Sequence, residues 1–118
     1  MPRAGVREER LRATAGLREP PALTSWLGRS GRRYVVGVHE VEPEMADVAE
    51  AVVIAVHRNP DGTSELVEVA PLGPQTRPER LRWLARMRRR GATEMHVHRL
   101  AESEAERRAI AADLAAAG

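Results

Sequence analysis

The sequence predicts an α+β domain: a small mixed or antiparallel sheet of about four strands with flanking helices, in the order β-β-β-α-β-α. Three observations predict it. The apolar run Ala51-Val52-Val53-Ile54-Ala55-Val56 is followed by Asn59-Pro60-Asp61-Gly62 and then by Glu65-Leu66-Val67-Glu68-Val69-Ala70, two strands around a turn. Two capping-box signatures, Thr76-Arg77-Pro78-Glu79 and Ser103-Glu104-Ala105-Glu106, each open a helix. Between the two helices, Thr93 to Leu100 alternates as a strand does.

The elements follow in chain order. Residues 1–22 are polar, rich in Arg and Glu, and end in Pro20-Pro21, so they are expected to be a flexible N-terminal arm ahead of a single domain over residues 23–118. Leu23-Thr24-Ser25-Trp26-Leu27 reads as a short apolar patch that docks on the domain. Tyr34-Val35-Val36-Gly37-Val38 is rich in β-formers and predicts the first strand. Glu40 to Glu50, acidic and interrupted by Pro43, is a connection with room for a helical turn. The hairpin comes next, and Pro71 to Pro74 ends it. A helix from Arg77 to Arg90 stops at Gly91, because glycine accepts the left-handed conformation that closes a helix. The last helix is rich in Ala and runs toward the C-terminus.

Composition narrows the function classes. With 118 residues the chain makes one domain, large enough to bury about two-thirds of its unfolded surface. Its aromatics are only Trp26, Tyr34 and Trp83. The lack of cysteine excludes disulfides and thiolate metal sites. No segment approaches the roughly 20 apolar residues that cross a bilayer, and no apolar stretch follows the N-terminal charges as in a signal peptide. A cytoplasmic protein without a membrane partner is expected.

All 19 basic residues are Arg, and they are unevenly spread. Residues 77–100 carry eight Arg against two Glu, whereas residues 35–57 carry five acids and no Arg. Guanidinium groups bind phosphate and carboxylate in bidentate fashion, so such asymmetry marks a candidate anion-binding face. On the first helix, at about 100° per residue, Leu81, Trp83, Leu84 and Met87 make an apolar arc with Arg82, Arg86 and Arg89 opposite. Arg77 and Arg80 fall within or beside the arc near the helix start, where they could line a cleft and attract phosphate. The candidate nucleic-acid-binding residues are therefore Arg77, Arg80, Arg86 and Arg89. His96 and His98 share one face of a strand, but no third metal ligand stands near them in sequence, so a structural role is expected and no metal or cofactor.

The segment from Gly31 to Leu114 resembles a small bacterial branch of GIY-YIG nuclease domains. Gly31-Arg32-Arg33-Tyr34 matches its leading strand, Gly91-Ala92-Thr93-Glu94-Met95-His96-Val97-His98 its later strand, and Arg107-Arg108 to Asp113-Leu114 its last helix. The resemblance implies two catalytic tyrosines, a phosphate-binding Arg and a metal-binding Glu. Here the tyrosine positions fall at Val53 and Val67 and the Glu position at Ala111, with Arg77 surviving by spacing and Arg80 a near alternative. Valine cannot transfer a proton and alanine cannot hold Mg²⁺. The resemblance thus implies a degenerate relative without catalytic residues, retained to bind DNA or RNA, or a protein partner. The alternatives are a metal-dependent phosphodiesterase that uses His96, His98 or Glu68, and a pure protein-interaction module around Trp26.

Overall fold

Among the described residues six strands, not about four, make the sheet, and every strand pair there is antiparallel. The computed structural model describes residues 5–9 and 23–115. In chain order the elements are β1 (Arg7–Glu9), β2 (Leu23–Leu27), β3 (Arg33–Glu40), β4 (Ala51–Arg58), β5 (Ser64–Leu72), α1 (Arg77–Arg89), β6 (Glu94–His98) and α2 (Glu104–Leu114). A short 3-10 turn, Pro43–Asp47, joins β3 to β4. Across the sheet the strands lie in the order β1-β2-β3-β6-β4-β5, so β6 enters between β3 and β4.

The expected order β-β-β-α-β-α is corrected to β-β-β-β-β-α-β-α. The two additional strands have physical reasons for escaping a pattern search. In β2, Thr24 and Ser25 interrupt the apolar residues, yet both are buried, at 0% and 3% exposure. The three residues of β1 are all charged and carry no apolar period; its partners Arg33 and Arg58 are remote in sequence. Of the arm expected over residues 1–22, residues 5–9 are described and include β1; the remainder lies outside the described residues.

Alternation along the strands builds two cores. Ala51, Val53 and Ala55 of β4 join Met95 and Val97 of β6 beneath α1, with Trp83, Leu84 and Met87 packed onto them. Val52, Ile54 and Val56 face the other way, toward Trp26, Tyr34 and Val36 and toward Ile110, Ala111 and Leu114 of α2. This explains the continuous apolar run in β4: the strand is buried on both faces. The strict alternation expected in β5 is broken by a β-bulge, because Ala55 pairs with Glu68 while Val56 pairs with Leu66. Leu66 and Val69 therefore share the α2 side, although they are three apart.

The sheet curls around α2. Although β1 and β5 are opposite edges in strand order, Glu8 of β1 accepts hydrogen bonds from Arg58 at the end of β4 and Ser64 at the start of β5. The result is an open half-barrel, closed at one end by side chains instead of backbone pairing.

Candidate functional site

Helix α1 is defined at both ends by local chemistry. The Thr76 side chain accepts from the Glu79 amide at 3.3 Å, and the Glu79 carboxylate accepts from the Thr76 amide at 3.4 Å, so the capping box is formed. At the other end Gly91 has φ 98°, and the Ala92 amide reaches back to the Met87 carbonyl at 2.9 Å. That bond, with Gly91 to Arg88, makes a Schellman closure. Trp83, Leu84 and Met87 turn inward, which leaves the outer face to the arginines.

The four candidate arginines separate into different roles. Arg77 is exposed and pairs with Asp47 at 2.9 Å; both side chains are more than half exposed, so the pair stabilises little. Arg80 is 9% exposed, and its guanidinium donates to the carbonyls of Ala46, Val48 and Gly73. It clips the loops on either side of the helix start to each other. Arg86 and Arg89 are exposed and have no carboxylate partner among the described residues. Arg82 is exposed and unpaired in the same sense. At about 100° per residue, these three project within an arc of about 60°. Their neighbours are committed elsewhere: Arg88 donates to the Val41 carbonyl, and Arg90 pairs with Glu68 at 2.8 Å. The structure therefore groups Arg86 and Arg89 with Arg82 and sets Arg77 and Arg80 apart. Periodicity placed Arg82 on the solvated side; only the burial of Arg80 makes Arg82 the more useful third cation.

The positions highlighted by the family resemblance are not gathered at one surface. Val53 is buried and Val67 half-buried on the α1 side, while Ala111 packs with α2 on the other. Glu68 also lies toward α1, accepting from Trp83 Nε1 at 2.6 Å, across the sheet from His96 and His98.

On the α2 side a hydrogen-bonded chain runs through the interior. Trp26 Nε1 donates to His96 Nδ1 at 2.9 Å. An indole N–H can only donate, so His96 Nδ1 is the acceptor, and its Nε2–H donates to Glu94 Oε1 at 2.8 Å. Arg58 lies between Glu94 at 2.8 Å and Glu8 at 2.7 Å. Burial pushes the Glu94 carboxyl up, but hydrogen bonds from His96 and Arg58 outweigh it and hold it down at about 2. Burial likewise opposes the charge of Glu8, and Arg58 and Ser64 lower it on balance. Bonds from Glu94 and Glu8 raise Arg58 above the ordinary arginine range. Both His96 nitrogens are thus occupied by protein partners, and His98 Nδ1 bonds the Val35 carbonyl at 2.8 Å. No group of three or more His, Asp or Glu is assembled for a metal ion among the described residues.

Protein-family models, curated proteins and solved structures yielded no match to this chain. Within the described residues no helix is long and apolar enough to cross a membrane. The outer face of α1 presents three exposed arginines, Arg82, Arg86 and Arg89, and a guanidinium can hold an anion in bidentate fashion.

Proposed function

We propose that this domain is a non-catalytic module that binds nucleic acid on the outer face of α1. One observation carries the proposal: Arg82, Arg86 and Arg89 form a single exposed stripe in which none makes an ion pair among the described residues, while Glu79 on the same face is held by Thr76 in the capping box. The stripe spans about 10 Å of helix axis, enough to meet two or three successive phosphates of one strand. Duplex is favoured over single strand. Trp26, Tyr34 and Trp83, the whole aromatic content, are 1%, 5% and 8% exposed, so no stacking platform is offered to bases. Such a protein binds its nucleic-acid partner in the cytoplasm, without chemistry of its own.

Contacts to phosphate release counterions, and three of them give a slope of about −2.7 in log affinity against log salt for duplex DNA. The expected result is a slope of that size for the wild type and loss of binding in the triple variant R82E/R86E/R89E, both read by fluorescence anisotropy. Unchanged affinity in the triple variant removes the proposal.

A second reading rests on a different feature of the same helix. A groove of about 530 Å³ lies between α1 and the β3–β4 connection, with apolar walls of Val41, Pro43, Leu81, Leu84 and Ala85 and with Glu42, Arg88 and Arg89 also lining it. Its apolar walls suit a protein partner. Pull-down that survives R82E/R86E but is lost on Ala85→Arg favours this reading.

A further inference from the structure

Strand β1 pairs with β2 through three residues only, and side-chain ion pairs to Arg33 and Arg58 add to its hold. Glu8 points into the curl of the sheet with its side chain 6% exposed. It receives Arg58 Nη1 at 2.7 Å and Nη2 at 3.1 Å, a bidentate fork, and the Ser64 hydroxyl at 2.8 Å. Two residues earlier on the same side, Val6 packs against the core around Trp26. On the opposite side of the strand, Glu9 accepts from Arg33 Nε at 2.8 Å.

The socket that receives Glu8 is built without β1. Arg58 is held from behind by Glu94, with Nε and Nη2 at 3.2 and 2.8 Å, and by the Gly62 carbonyl at 2.9 Å. Ser64 belongs to β5 and Arg33 to β3. Without β1, three things remain: the outer backbone edge of β2, a preoriented guanidinium fork, and an apolar seat beside it. Residues 10–22 supply thirteen residues between Glu9 and β2, chain enough for β1 to leave that edge while β2 stays in place.

We infer that the outer edge of β2 is a peptide-binding site, filled in the resting protein by the chain's own β1. Its ligand class is an extended peptide of the pattern apolar-x-Glu-acidic, added antiparallel to β2. Main-chain hydrogen bonds supply affinity, and the Arg58–Ser64 socket supplies selection for the glutamate. β1 acts as a resident competitor, so the site opens only to a peptide that displaces it.

The test uses the full chain and a fluorescein-labelled peptide copying residues 4–10. Glu8→Gln weakens the resident strand and leaves Arg58, Ser64 and Arg33 in place. The E8Q chain is expected to bind the peptide at least about tenfold more tightly than wild type does. A peptide with Gln at the Glu8 position is expected to bind E8Q at least about tenfold more weakly, the usual effect of losing a charged hydrogen-bond partner. Equal binding of the two peptides, equal binding by the two chains, or no binding by E8Q overturns the inference. If E8Q does not fold, amide exchange of wild type decides the matter. Faster exchange over residues 5–9 with millimolar peptide supports displacement, and no change refutes it.

Discussion

At the scale of single residues, His96 is held by protein partners at both ring nitrogens. It is fully buried, and its two nitrogens join Trp26 to Glu94. Replacing it by Ala strands a buried indole N–H and removes a donor from a part-buried carboxylate. Each such loss costs about 1–3 kcal/mol before the cavity is counted. His96→Ala is expected to lower unfolding free energy by roughly 3 kcal/mol or more in urea denaturation. A loss below about 1 kcal/mol would show that water replaces the ring. The spacing of His96 and His98 correctly implied a shared strand face. Their partners were not legible, because Trp26 is seventy residues away in the chain. The candidate arginines show the same limit: periodicity assigns a side of the helix, but the loops that claim the Arg80 guanidinium are brought in by the fold.

At the scale of elements, α1 owes its boundaries to its own sequence. Thr76, Pro78 and Glu79 at one end and Gly91 at the other each act on groups within a few residues of themselves, and for that reason the helix was predictable to within a residue. Thr76→Ala is expected to cost about 1 kcal/mol. Gly91→Ala, which forces a Cβ onto a φ of 98°, is expected to cost about 1–2 kcal/mol. Thermal unfolding of both variants, with helicity followed at the same time, checks this; an unchanged midpoint for Gly91→Ala would mean the turn relaxes to another conformation. Helix α2 is capped differently from the expected box. Ser103 accepts from the Glu106 amide at 3.0 Å, but Glu106 reaches back to the Glu102 amide and not to that of Ser103. Strands β1 and β2 lacked any such local signature, and β1 depends on ion pairs made across the sheet.

At the scale of the whole molecule, the curl of the sheet converts scattered charges into one buried network with a pH signature. Glu94 sits at about 2 and Glu8 below its ordinary value of 4.5 in the folded protein. A carboxyl depressed by folding contributes stability that is present above its unfolded value and is lost as pH falls through the folded one. Stability is therefore expected to decline as pH drops from about 4.5 toward about 2. Glu94→Gln should be less stable at neutral pH and show a flatter decline over that window. Midpoints of thermal unfolding measured from pH 7 to pH 2 test both statements, and parallel curves for the two proteins would contradict them.

By itself the sequence determined what neighbouring residues can decide among themselves: both helices, the hairpin with its Asn59–Gly62 turn, and the strand from Glu94 to His98. It also determined that α1 has an apolar side and a basic side. Tertiary structure alone decided that the sheet has six strands, that a bulge at Val67 breaks its alternation, and that Glu8, Arg58 and Glu94 meet. It alone decided which arginines remain free. Capping and turn energies act over three or four residues and leave a pattern in the chain. Pairing of the charged edge strand β1 depends on groups fifty residues apart, and satisfaction of the Arg80 guanidinium on carbonyls up to 34 residues away; contacts at such separations impose no period on either segment.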